Sequence, residues 1–193
     1  MKKLITWQGD ILKNLKLIFL FFYFLFQTSN IFASERWVLD KSLSTIEFEL
    51  PVLFAKNVKG QFNTIEGFVE LDVEKKENNK AIFSVQIDDL EMNYIKYKDL
   101  LLSNIFFDAI RFPLAVIDTK KFSYDNENEL KLDAELTLKG KSQIVPLVIN
   151  VVRLAEELVQ IKSELVFSRT NFEIGIGQWS NTSILKDKVK IKT

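Results

Sequence analysis

The sequence predicts an all-β domain of about eight antiparallel strands with one short helix. Three observations carry that reading. Apolar and polar residues alternate with period two in run after run, the signature of strands with one buried face. Polar turn segments separate the runs. One stretch breaks the alternation with helical spacing.

The chain has 193 residues and begins with a segment that stands apart. Residues 17–26 read LIFLFFYFLF, with Lys2, Lys3, Lys13 and Lys16 before them and Ile31-Phe32-Ala33 after. A basic start, an apolar middle and a small residue at the cut form the layout of a secretory signal, placed here over residues 1–33 with cleavage after Ala33. An uncleaved anchor is the other reading. Ten apolar residues at about 1.5 Å each reach only about half of a ~30 Å hydrocarbon core, so no stable span is expected after processing. Residues 34–193 then form the working domain, with 22 basic and 25 acidic residues. Export places it in the periplasm.

Within that domain the strands are justified in turn. Ile46-Glu47-Phe48-Glu49-Leu50 sets three apolar residues against two acids, and Phe68–Val73 repeats the idea. Phe83, Val85 and Ile87 alternate with Ser84, Gln86 and Asp88. Residues 88–103 (DDLEMNYIKYKDLLLS) carry apolar side chains at 90, 94, 97 and 101, which predicts a short helix packed on one end of the sheet. The cleanest strand is Leu130–Leu138, with five apolar positions interleaved with four polar ones. Val145, Leu147, Ile149 and Val151 follow, then Val159, Ile161, Ser163, Leu165 and Phe167, and Lys188–Lys192 closes the chain. KKENNK at 75–80 and DNENE at 125–129 are hairpin candidates, and Lys139-Gly140-Lys141 is a tight turn because glycine tolerates positive φ. Pro146 predicts an edge position or the beginning of a strand. No linker or composition shift divides residues 34–193, so one domain is expected.

Composition excludes several kinds of chemistry. The chain has no Cys and no His, which removes thiol nucleophiles, disulfides, Cys or His metal sites and Ser-His-Asp triads. Zero formal net charge without a basic block argues against nucleic acid as a partner. Asp88, Asp89 and Glu91 form a carboxylate cluster. It lacks calcium-loop spacing and reads as N-terminal capping of the predicted helix. Gly175-x-Gly177 is too short for a phosphate loop. Arg169 reads as a clamp on nearby loop carbonyls in preference to a holder of a ligand head group. Pattern alone leaves barrel and sandwich open, because either hides an apolar face.

Several stretches resemble the YceI-like family of periplasmic polyisoprenoid-binding proteins. They are Trp37-Val38-Leu39-Asp40 with Ser44, Ile46 and Phe48, then Val58-Lys59-Gly60-Gln61-Phe62. Leu101, Ser103, Phe106-Phe107-Asp108 and Phe112-Pro113 follow, then Leu136-Thr137-Leu138-Lys139-Gly140 and Val145-Pro146-Leu147. Phe167–Phe172, Gly175, Gly177 and Trp179 complete the ordered set. Family members often carry His where this chain has Leu43, Val52 and Leu100, so any role of those histidines cannot operate here. A charged pair common in the family falls here on Tyr97-Lys98.

The resemblance implies an antiparallel eight-stranded lipocalin-like barrel, one end capped by the helix, around a long apolar tunnel. The implied partner is a long-chain isoprenoid, such as a quinone-like lipid, or another acyl amphiphile. No other cofactor, no metal and no catalysis are implied. The candidate lining residues are Phe48, Leu50, Phe62, Val85, Ile87, Leu100, Phe106, Phe107, Val116, Leu136, Leu138, Leu147, Ile149, Leu165 and Phe167. Of these, Leu100, Phe106 and Phe107, with Leu101, form either a lid or a permanent plug. A homodimer across an edge strand is open. The competing reading is an exported structural or adhesion-type β-domain whose stripes fill a solid core, as apolar stripes usually do.

Overall fold

A computed structural model describes residues 34–52, 55–72, 75–124 and 128–193; the side chains at 50–52 and 55–57 fall outside that description. The expected signal over residues 1–33 also lies outside the described residues. Ser34–Thr193 forms one compact unit.

Among the described residues the eleven strands are β1 (Glu35–Val38), β2 (Ile46–Val52), β3 (Ala55–Phe62), β4 (Ile65–Leu71), β5 (Lys80–Gln86), β6 (Leu90–Met92), β7 (Leu114–Asp118), β8 (Glu129–Leu138), β9 (Lys141–Ala155), β10 (Leu158–Ser168) and β11 (Lys188–Lys192). Among the described residues one α-helix, α1, spans Ile95–Leu102. All eleven strands belong to one antiparallel sheet of order β1-β4-β5-β7-β8-β9-β10-β11-β2-β3-β6, curled into a half-barrel. The all-β, barrel-like expectation therefore holds, with eleven strands in place of eight.

The extra strands are short or weakly patterned. β1 and β6 have four and three residues and form the two edges. β3 contains Gly60 on its inner face, directly opposite Phe48. A Cβ at Gly60 would run into the Phe48 ring, so the ring occupies the space a side chain would fill. That is why the strand shows so little apolar alternation.

The predicted helix over 88–103 is corrected in its first half. Ile87–Asp89 is a 3₁₀ turn and Leu90–Met92 is β6; α1 begins only at Ile95. Leu90 and Met92 stand opposite Phe62 and Gly60, so pairing with the β3 edge overrides the helical spacing. The carboxylates also do not cap a helix. Asp89 accepts the Thr64 N–H at 2.8 Å, and Glu91 accepts from Gln61 Nε2 at 2.9 Å. The Thr64 bond holds the Asp89 carboxyl below its ordinary pKa, against the opposing effect of burial.

The hairpin expectations fare better. Lys139 and Gly140 have φ of 49° and 71° between β8 and β9, as a tight primed turn requires. Residues 76–78 form a 3₁₀ turn between the paired strands β4 and β5. Pro146 opposes Asp133 on β8, while pairing with β10 begins only at Leu147. Its missing N–H thus faces the unpaired side. Residues 125–127 of the DNENE segment lie outside the described residues.

Candidate functional site: an apolar inner wall capped at one end

Directly opposed residues of neighbouring strands share a face. One inner row runs Leu132, Leu147, Leu165, Ile191, Phe48 and Gly60 across six strands. Another runs Leu136, Ile117, Phe83 and Gly67. The opposite face is polar along β11 and β8, with Lys188, Lys190, Lys131 and Asp133 exposed.

At the helix end this inner face is filled. Phe172 and Leu90 have no exposed surface. Phe48 and Phe62 rings lie 5.5 Å apart, Phe62 and Phe107 6.4 Å, and Phe167 and Phe172 5.4 Å. The segment after α1 is tied to the neighbouring loops. Ile105 O accepts from the Gly175 and Ile176 N–H groups at 2.9 and 3.1 Å. Lys139 Nζ donates to Asn104 O and Glu173 O at 2.8 and 2.9 Å. Leu101 and Phe106 are buried at this end, and Phe107 packs half-buried against them.

Arg169 locks the neighbouring loop. The residue is 1% exposed. Nη1 donates to Ile174 O at 2.8 Å, Nη2 to Leu185 O at 2.7 Å and Nε to Lys186 O at 3.0 Å. Burial lowers its pKa, partly offset by Asp187. With Nε, Nη1 and Nη2 each bonded to a loop carbonyl and the residue buried, Arg169 is the clamp and not a head-group ligand. Gly175, at φ 78°, lets the backbone pass beside it: a Cβ there would meet Arg169 Nη1 at 2.8 Å.

Away from the helix the same stripes lose their cover. Along β10, Phe167 and Leu165 are 5% and 8% exposed, Ser163 is half-buried and Ile161 is 38% exposed. Along β8, Leu138, Leu136 and Ala134 are buried, while Leu132 and Leu130 are half-buried. Along β9, Val145 and Leu147 are buried, while Ile149 and Val151 are half-buried. Leu130 opposes Ile149, and Ile149 opposes Ser163, so the partly uncovered residues adjoin one another. They form an apolar wall that the protein's own side chains leave accessible.

Ten of the predicted lining residues (Phe48, Phe62, Val85, Ile87, Phe106, Leu136, Leu138, Leu147, Leu165 and Phe167) fall in one buried cluster. Leu100, Phe107 and Ile149 pack half-buried against it. Leu50 has no described side chain. Val116 is a correction: it opposes Ser84 and Thr137 on the outer face, and the inward residues of β7 are Ala115 and Ile117. Sequence reasoning centred the site on residues that pack the capped end. It passed over Leu130, Leu132 and Val151 as lining residues, although alternation had already put them on the inner face. A cleft of about 130 Å³ lies elsewhere, where β9 and β10 diverge beside Gln143, Val145, Val166 and Lys188. It is too small for a long-chain lipid, since ligand pockets run to roughly 300–1,000 Å³.

The fold and its inner wall define the class: an antiparallel half-barrel with an apolar interior, capped at one end by a helix. The particular family follows from comparison. The YceI-like domain matches residues 37–193, and the chain belongs to that family. Burkholderia cenocepacia BcnA is 23% identical, with TM-score 0.72 over 80% of this chain and 96% of BcnA. A polyisoprenoid binding domain from Saccharophagus degradans, described as implicated in plant cell wall breakdown, is 13% identical, with TM-score 0.64 over 83% and 95%. The Campylobacter jejuni YCEI protein is 22% identical, with TM-score 0.61 over 81% and 94%. At these identities the likeness is one of fold. No curated protein matches the chain.

Proposed function

We propose that the protein binds a long-chain isoprenoid or acyl amphiphile along the uncovered part of its inner wall, without catalysing a reaction on it. The carrying observation is the burial gradient: on one face of β8, β9 and β10, buried apolar residues give way to accessible ones. Water against that wall is costly, and a flexible chain laid over it restores the burial that the helix supplies at the other end. Each CH₂ covered contributes about 0.8 kcal/mol, so a tail of tens of carbons binds without many polar contacts. A preformed sheet also limits the ordering cost. The name of the Saccharophagus degradans neighbour supports an isoprenoid tail, and a quinone-like lipid is the leading candidate. The apolar run at 17–26 supports delivery to the periplasm, where such a protein would sequester or carry its lipid.

Solvent extraction of the purified full chain followed by mass spectrometry tests the reading. A stoichiometric long-chain lipid is the expected result. A lipid-free protein that also fails to take up an added long-tailed quinone would overturn it in favour of a structural β-domain.

A further inference from the structure

The inner row of β9 runs Val145, Leu147, Ile149, Val151 and then Arg153, so a charge stands where alternation calls for another apolar residue. Register fixes the face. Ile149 opposes Ser163, Val151 opposes Ile161 and Arg153 opposes Val159 on β10. Directly opposed residues share a face, so Arg153 lies on the accessible wall, two residues or about 7 Å beyond Val151. Asn128, whose carbonyl accepts the Val151 N–H at 2.9 Å, extends β8 beside it. From Ala134 on β8, Val145 on β9 and Phe167 on β10 towards this end, no other inner position carries a charged side chain.

Arg153 is exposed. Among the described residues no ion pair or hydrogen bond engages its side chain, and Glu156 and Glu157 of the hairpin turn are not paired with it. That separates it from Arg169, whose guanidinium holds loop carbonyls at the capped end. The lysines nearby lie on the other face: Lys131 opposes Val148, and Lys162 opposes Asn150. A guanidinium at the lip of an apolar wall lays its stem on the wall and keeps its fork in water. That fork matches the paired oxygens of a phosphate or a carboxylate.

We propose that Arg153 is the head-group anchor of the lipid site and that the bound chain ends in an acidic head, a phosphate monoester or a carboxylate, with its tail along Val151, Ile161, Ile149 and Leu130. This rests on the reading that the half-barrel takes a long-chain amphiphile, and it narrows the head group: on one tail, an acidic head binds more tightly than a neutral one. An unpaired cation beside low-dielectric surface attracts a formal charge, whereas a carbonyl or hydroxyl gains only an ordinary hydrogen bond.

The test compares three probes on the full chain by equilibrium dialysis at neutral pH: a polyprenyl phosphate, the polyprenol of the same tail and a long-chain fatty acid. In Arg153→Met, which keeps an apolar stem, binding of the phosphate, the fatty acid or both should weaken about fivefold, the scale of an exposed ion pair, while the polyprenol is unchanged. Added salt should weaken the acidic probes in the unaltered protein and much less in the variant. Loss for only one acidic probe names the head group. Inorganic phosphate at the same concentration should not displace the polyprenyl phosphate; displacement makes this a site for a free anion and overturns the anchor. Equal loss for all three probes, no loss for either acidic one, or tighter binding of the polyprenol than of its phosphate by the unaltered protein also overturns it. If the unaltered protein binds none of the three, the lipid-binding reading itself fails, a result distinct from failure of the anchor.

Discussion

The two ends of the half-barrel are built from the same strands and differ in what covers them. At the capped end, the Phe48–Phe62 and Phe167–Phe172 ring pairs share one buried cluster with Leu101 of α1, and Arg169 ties the Ile174, Leu185 and Lys186 carbonyls together. At the other end, Leu130, Ile149, Val151 and Ile161 continue the same faces with surface left uncovered. One apolar stripe can thus serve stability over half its length and leave the rest for a ligand. Alternation along a strand sets which face is apolar; a helix or loop placed over one end sets which part is core.

Substitutions at the two ends should therefore separate stability from binding. The largest effect is expected from Phe172→Ala, which empties a fully buried ring site and should cost roughly 3–5 kcal/mol in urea unfolding. Lipid held per folded molecule should stay constant. Arg169→Met follows: it orphans the carbonyls of Ile174 and Leu185 and should cost about 2–3 kcal/mol by the same measurement. Gly60→Ala drives a Cβ into the Phe48 ring and should cost roughly 1–3 kcal/mol.

At the open end the pattern should invert. Ile149→Asp combined with Ile161→Asp should cost clearly less in unfolding than Phe172→Ala, since both sites are already partly wet. Extractable long-chain lipid should fall at least about tenfold, because charges now line the wall. Unfolding of that double variant, or lipid loss in Phe172→Ala, would break the contrast between the ends.

The smallest effect concerns pH. Burial raises the Asp187 carboxyl's pKa, but bonds from the Thr170 hydroxyl and N–H, helped by the Arg169 charge, outweigh it and leave it below the ordinary value. A lowered carboxylate stabilises the fold fully above the unfolded value of about 3.9 and loses that contribution as pH falls through the folded one. Unfolding free energy should decline through that acid window, and Asp187→Asn should flatten this part of the profile.

Legibility varied with pattern. β8, β9, β10 and β11 were readable because one face of each is solvated, so polar and apolar residues alternate. β7 reads Leu-Ala-Val-Ile, apolar on both sides, and alternation could not tell Val116 from Ala115 and Ile117. β6 shares Leu90 with a helical spacing, and only the free edge of β3 decided between them. Trp37 was visible as part of a family-like motif. That its Nε1–H is buried without a hydrogen-bond partner was not, because hydrogen-bond satisfaction depends on what lies opposite in space.

By itself the sequence determined the secondary-structure type, the absence of Cys and His chemistry, the inward face of the long strands and the ordered family motifs. These follow from local spacing and residue identity. The tertiary structure alone decided that the sheet curls into a half-barrel of eleven strands, that one end is packed and the other uncovered, and that Arg169 is spent on its own loop. Those properties depend on which distant segment covers a given stripe, and periodicity along a strand carries no information about its cover.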